Sequence, residues 1–274
     1  MRIFISADIE GIAGVATTSA TVPGGHGYTD ACRWMTQEVI AAVEGAKAAG
    51  ATSFVIADGH GGADNLLLDA LPDDVEVVRS WPRPLAMMQG IDSSFDAAFF
   101  IGYHTGGHHT DGVLAHTFRG LQIASVQVNG KPASELTVNA MIAHEFGVPV
   151  ALVTGDHATC QHADEELNGV VRVAVKTECG RYSAQTLMPA EAQKRIKAAA
   201  QEAVSRLPEK PRAGAVACSV HVTFKHHWNA ELLSFLPFAE RTGPYSIAFE
   251  VKSASEAAGV FKFITSYQPL PPEA

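Results

Sequence analysis

Two carboxylates, Asp8 and Glu10, stand one residue apart in SADIEG (6–11), where a short apolar run ends. Strand side chains repeat with a period of two, so both can leave the strand end on the same side. Carboxylates so placed repel unless a cation sits between them. Taken alone, the pair also reads as a solvated loop. His60 follows a second apolar run, in ADGHGGADN (57–65), where flanking glycines let the backbone come close to a bound group. His104 holds the corresponding position after another run, in FIGYHTGGHH (100–109). Glu135 opens the helical stretch ASELTVNAMIAHEFG (133–147); by itself it would simply complement the helix dipole. His116, in LAHTFRG (114–120), fits a core histidine, a metal ligand or a proton-transfer group, and spacing does not decide among them.

Three carboxylates and two imidazoles with no thiolate suit one or two divalent metals, Zn²⁺ first, with Mn²⁺ or Co²⁺ as rivals. Two metals roughly 3.5–4 Å apart need a bridging carboxylate and open positions for water, and Asp8 is the natural bridge. Such a site hydrolyses amides or esters. There is no GxSxG elbow, no phosphate-binding GxxxxGKS or GxxxxGKT loop, and no local signature of a nucleophilic cysteine. The other histidines have ordinary readings. His26, His108 and His109 fall in loops and His144, His157 and His162 on helical stretches. His221, His226 and His227 lie toward the C-terminus, where KHHWN (225–229) lacks the carboxylate spacing of a second metal site.

The elements that must hold these side chains are legible as period and punctuation. RIFISAD (2–8) and TSFVIAD (52–58) flank a helical pattern of Met35, Val39, Ala42, Val43 and Ala46, with Thr29 or Asp30 as N-cap and Gly50 beyond its end. That is a βαβ unit. Further β-like runs are 75–80, 95–102, 148–155 and 170–176. Runs that are apolar almost throughout imply burial on both faces. The expected fold is therefore α/β, with a mostly parallel or mixed central sheet flanked by helices and a smaller C-terminal α+β part. In open sheets of this kind ligands gather outside the carboxyl ends of the strands, where Asp8, Glu10, His60 and His104 all fall. A strand over 121–129 turns at Asn129-Gly130 and feeds a helix from about Ser134. A long helix opens at Pro189 and buries Ala192, Ile196, Ala199, Ala203 and Leu207. The charged, Pro-rich PEKPR (208–212) is the expected boundary between a catalytic domain, 1–207, and a small C-terminal domain, 213–274. Beyond it, 215–224 and 244–251 read as strands and 253–267 as a helix.

Composition narrows the partners. A formal charge of −9, from 20 Lys plus Arg against 29 Asp plus Glu, offers no basic surface for nucleic acid. No apolar stretch reaches the 18 residues of a membrane span, and acidic residues stand where a signal peptide needs its apolar run. Four scattered cysteines, Cys32, Cys160, Cys179 and Cys218, read as thiols in a reducing compartment. A cytoplasmic protein is expected.

SADIEG, ADGHGGADNLL, FIGYHTG, LAHTF, NGKPASELTVNA and VPVALVTGD, in that order, resemble the zinc-dependent D-aminopeptidase family associated with bacterial dipeptide-transport operons. The resemblance covers at least residues 1–156. It implies metal ligands at Asp8, Glu10, His60, His104 and Glu135, two zinc ions per subunit with Asp8 shared, and a catalytic histidine at His116. It also implies a ring-like homo-oligomer, a decamer with an enclosed channel, acting on the N-terminal residue of short peptides or amino-acid amides, a D-amino acid by preference. A metal-dependent amidase of other small-amide specificity, or a non-catalytic metal- or peptide-binding protein of the same fold, are the alternatives. The chain departs from the family pattern at Ser134, where the family has glycine before the glutamate, and at Gly59 and Gly61, where serines flank the histidine.

Overall fold

The computed structural model describes residues 1–267. In chain order the elements are β1 (Arg2–Ala7), α1 (Tyr28–Ala48), β2 (Ser53–Asp58), β3 (Val75–Val78), β4 (Ala97–Tyr103), β5 (Ile123–Val128), β6 (Lys131–Pro132) and α2 (Glu135–Glu145). There follow β7 (Val150–Asp156), α3 (His157–Glu166), β8 (Val171–Gly180), β9 (Ser183–Thr186), α4 (Pro189–Ser205), β10 (Cys218–Phe224), α5 (His227–Leu233), β11 (Glu240–Gly243), β12 (Ser246–Val251) and α6 (Ala254–Ser266). The fold is α/β, as the apolar runs imply.

Seven strands form the central sheet in the order β3-β2-β1-β4-β7-β8-β9, all parallel except β9, which returns antiparallel to β8. Successive residues of β1 go to opposite faces. Ile3 and Ile5 join one buried cluster with Met35, Val39 and Val43 of α1 and Ile196 and Ala200 of α4. Phe4 joins the other, with Leu136 and Ile142 of α2 and Phe261 and Ile264 of α6. The chain leaves β1 toward β2 and β3 on one side and reaches β4, β7 and β8 on the other. The strand order thus reverses between β1 and β4, and the carboxyl ends of those two strands open the crevice in which ligands of such sheets bind.

A second, antiparallel sheet has the order β11-β12-β10-β5-β6. PEKPR lies between α4 and β10. Yet β5 and β6 come from before it and β10, β11 and β12 from after it, and Val126, Val222 and Phe249 share one core with the central sheet. The second sheet is therefore not made of C-terminal residues alone: β10 pairs antiparallel with β5, and the apolar faces of both strands pack into that core. Residues 268–274 of the expected C-terminal domain lie outside the described residues.

Other differences are local. Helix α1 begins at Tyr28 rather than after Thr29 or Asp30. Gly27, at φ +85°, turns the chain into it, and the Tyr28 hydroxyl donates to Asn65 Oδ1 at 2.8 Å, a contact 37 residues away that holds the first turn. Asp30 then lies inside that turn, where it complements the helix dipole. Leu207 falls just past α4 but still packs on the core. Short β9, β11 and α5 carry little periodic signal and are additions to the expected set. No helix among the described residues is long and apolar enough to cross a membrane.

Candidate metal centre

Asp8 follows β1 directly, His104 follows β4, His60 sits two residues past β2, and Glu135 is the first residue of α2. All four meet at the crevice between β1 and β4. His60 Nδ1 lies 3.3 Å from Asp8 Oδ1 and 2.9 Å from Glu10 Oε2. His104 Nε2 lies 3.4 Å from Asp8 Oδ2 and 3.4 Å from Glu135 Oε1. One oxygen of Asp8 thus faces each histidine. Donor atoms of Asp8, Glu10 and His104 all fall within 4.8 Å of one another, as do those of His104, His116 and Glu135. Bonds of 2.0–2.1 Å at a tetrahedral angle set donors about 3.3 Å apart, close to these separations.

The tautomers suit cation binding. A backbone carbonyl can only accept, so the ring nitrogen facing one must carry its proton. His60 Nε2 donates to Thr21 O at 2.6 Å, His104 Nδ1 to Thr105 O at 2.9 Å, and His116 Nδ1 to Leu114 O at 2.8 Å. Each ring therefore turns its other nitrogen to the carboxylates. Backbone partners of this kind fix ligand orientation in metal sites. His104 Nε2 and Glu10 Oε2 are buried without any hydrogen-bond partner, which is costly unless something else satisfies them. Burial would push His60 and His104 toward neutrality. Glu10 and Asp8 around His60, and Glu135 and Asp8 around His104, hold both well above the ordinary histidine range instead. Asp8 is buried too, which would raise its carboxyl, yet the two imidazoles hold it well below the usual carboxylate range. A site that otherwise demands protons to balance three buried carboxylates is chemically fitted to a divalent cation.

His116 differs from the other two. Its ring stacks on His104, with centroids 4.2 Å apart and planes at 8°. Its Nε2 is 3.8 Å from Glu135 Oε1, longer than any other histidine–carboxylate approach in the cluster. Its side chain is 19% exposed against 1% for His104. It faces a cavity of about 330 Å³ that Asp8, Glu10, His60 and Glu135 also line.

Local chemistry explains the positions. Asp58, at the end of β2, accepts from the backbone N–H groups of Asn65 and Leu66 at 2.6 and 2.8 Å, and Asn65 Nδ2 donates to His60 O at 2.8 Å. These bonds close the loop that presents His60. A Cβ on Gly59 would come within 2.8 Å of Met87 Cε and 2.9 Å of Ala7 O, so the loop leaves no room there for the serine of the family pattern. Ser134 is the N-cap of α2: its hydroxyl accepts from Thr137 N at 3.2 Å and bonds His162 Nε2 at 2.8 Å. The departure from glycine at this position thus caps and braces the helix that presents Glu135. Phe118 N–H donates to Glu135 Oε1 at 2.6 Å, tying the His116 loop to the same carboxylate. Tyr103, beside His104, donates to Ser6 Oγ at 2.7 Å and accepts from Asn139 Nδ2 at 2.8 Å, bracing β4 against β1 and α2.

Lys176 and Glu38 show what sequence reading missed. Lys176, buried in the middle of β8, donates to the carbonyls of Glu10, Ile12 at 3.0 Å and Val15 at 2.5 Å, folding the loop that carries Glu10. Burial lowers its ammonium to about 8. The signal was a lysine closing the apolar run VVRVAVK (170–176). Glu38 on α1 accepts from Ala13 N–H at 2.9 Å in the same loop, and its other oxygen has no partner. Burial pushes its carboxyl up from 4.5 to about 7, against the Ala13 bond and the Lys176 charge. A carboxyl raised on folding contributes stability that is fully present below its unfolded value and is lost as pH rises through its folded value. Glu38→Gln keeps the acceptor and removes the charge. Its stability in urea, relative to the original chain, is expected to grow by roughly 3 kcal/mol between pH 4.5 and 7 and then level. Parallel pH curves would show that Glu38 does not titrate in that window.

Two histidines read as loop residues and one read as helical meet each other: the rings of His108 and His109 lie 4.4 Å apart and those of His109 and His162 4.9 Å apart. His26, His226 and His227 are exposed, and none of them lines the cavity.

A doubly wound sheet with buried carboxylates and imidazoles at its switch point places the chain among α/β metallohydrolases. It belongs to the D-aminopeptidase family, peptidase family M55, whose pattern matches residues 1–263. The chain is 28% identical, over 259 residues and 94% of each sequence, to a D-aminopeptidase of Bacillus subtilis (strain 168). Its fold is similar to that of the Zn-dependent D-aminopeptidase DppA from Bacillus subtilis, described as a self-compartmentalizing protease. The TM-score is 0.92 and the identity 26%, over 99% of this chain and 100% of that one.

Proposed function

We propose that this chain is a dinuclear zinc aminopeptidase that removes an N-terminal residue, a D-amino acid by preference, from short peptides or amino-acid amides. The observation that carries the reading is the division of Asp8, one oxygen toward His60 and the other toward His104. Asp8, Glu10 and His60 would hold one ion and Asp8, His104 and Glu135 the other. Zinc bound there supplies Lewis-acid polarisation of the scissile carbonyl and positive charge for the developing oxyanion. His116, its Nδ1–H committed to Leu114 O, presents Nε2 to the cavity, where it accepts a proton from the attacking water and returns it to the leaving amine. Glu135, bonded to Phe118 N–H, keeps that loop against the site. The self-compartmentalizing character of the Bacillus relative supports a homo-oligomer here, a decamer on the family resemblance.

The test pairs chelation with chirality. Zinc-loaded protein is expected to hydrolyse D-aminoacyl amides and leave the L-enantiomers almost untouched. Chelation should abolish turnover and lower Tm by roughly 10 °C, and added zinc should restore both. The shift follows from about 4 kcal/mol of stabilisation at a thousandfold excess over Kd, with each kcal/mol worth about 2–4 °C. Equal rates on D- and L-amides would defeat the D-preference and leave a general amidase. Two bound zinc ions with no hydrolysis of any D- or L-peptide would leave a binding protein.

A further inference from the structure

The cavity that receives the acidic cluster also has cationic walls. Arg119 and Lys262 line it together with Trp81. Lys262 Nζ rests 3.9 Å from the centre of the Trp81 ring, and the Arg83 guanidinium lies 3.9 Å from the same ring. Trp81 is itself fixed, its Nε1–H donating to Gly61 O at 2.7 Å in the loop that presents His60. Arg119 makes one long bond, Nη1 to Thr265 O at 3.4 Å. Among the described residues neither Arg119 nor Lys262 has a carboxylate within 4.0 Å. Burial and the neighbouring charges of Arg83 and Arg119 together lower the Lys262 ammonium. An aromatic face attracts a cation without neutralising it. Half-buried cations gathered without a counter-ion, in a chain of net charge −9, are a cost that an anionic ligand group would offset.

The anion can be identified by reach. Arg119 follows His116 by three residues, a span of at most about 10–11 Å of extended chain. A substrate whose first peptide bond lies at His116 places its C-terminal carboxylate about 3–7 Å further along if it is two or three residues long, because one or two residues follow that bond. A tetrapeptide carries that charge to the limit of this span, about 10–11 Å, longer peptides carry it past, and amides lack it. We propose that Lys262 and Arg119 form a carboxylate subsite that reads the free C-terminus of di- and tripeptides, with Trp81 as its positioning residue. The cavity then selects substrates by length at both ends, an amine toward the acidic cluster and a carboxylate toward the basic wall. The inference rests on the aminopeptidase reading above.

The test compares D-alanylglycine with D-alanylglycinamide on the zinc-loaded protein. The expected preference for the free acid is about 10- to 100-fold in kcat/KM, carried mainly by KM, as for hydrogen bonds between charged groups. Lys262→Met and Arg119→Met are each expected to collapse that ratio toward one, and Lys262→Arg to preserve it. A ratio near one in the original chain, or an unchanged ratio in both Met variants, overturns the subsite. The ratio is also read as equilibrium affinity by calorimetry on His116→Ala, which does not depend on turnover. An acid preference in binding that Lys262→Met removes sustains the subsite even if neither compound is hydrolysed, in which case the hydrolytic reading fails alone. Equal affinities overturn the subsite whatever the enzyme hydrolyses.

Discussion

His116→Ala is expected to lose about 10³-fold or more in kcat while keeping the zinc content of the original chain. Proton transfer by a positioned side chain is worth about 10²–10⁴-fold, and here one imidazole would serve both attack and departure. The expectation of unchanged metal rests on three contrasts with His104. His116 Nε2 is 3.8 Å from the nearest carboxylate oxygen rather than 3.4 Å, its side chain is more exposed, and its open edge lines the cavity. The opposing reading is also geometric, because His104, His116 and Glu135 could together hold one ion. Metal analysis of the purified variant, alongside single-turnover rates, separates the two. Loss of one zinc on truncation would make His116 a ligand and end its assignment as the proton-transfer group.

Asp8→Asn is expected to be more damaging, taking bound zinc from two per subunit toward none and activity down by about 10⁴-fold or more. Each Asp8 oxygen faces a different imidazole nitrogen, and asparagine replaces one of them with an NH₂ that can only donate. The amide also carries no charge to offset the cations. His60→Ala removes a donor from one side of the cluster only, so it should cost one zinc and leave the other. Zinc titration followed by elemental analysis distinguishes the patterns. An Asp8→Asn protein that binds two zinc ions as tightly as the original would refute the shared carboxylate and the dinuclear site with it.

Much of this centre could be read along the chain. Three apolar runs, the first followed by Asp8 and Glu10, the second by Gly59-His60 and the third by His104, put ligand side chains at the same edge of a parallel sheet, since strand period and crossover handedness allow few other outcomes. The sequence places the start of the helix that presents Glu135 near Ser134, and the fold closes that end with a capping box made by the Ser134 and Thr137 side chains. Lys176 was legible only as an anomaly, a lysine closing the apolar run 170–176. Its partners at Glu10, Ile12 and Val15 lie more than 160 residues earlier. The basic wall had no local signature, because Trp81, Arg119 and Lys262 come from separate stretches and meet only when α6 packs beneath the His116 loop.

Local pattern thus settled which residues lie on strand ends, which face of each helix is apolar, and which side chains bear ligand chemistry, because backbone period and side-chain type act within a few residues. Packing settled the rest. The pairing of β1 with β4 set the two oxygens of Asp8 between His60 and His104, and backbone carbonyls chose the ring nitrogen each histidine presents. The pairing of β10 with β5 carried C-terminal strands into the sheet beside the site. These are distances between atoms far apart in the chain, and only a closed core, in which every buried polar group must find its partner, determines them.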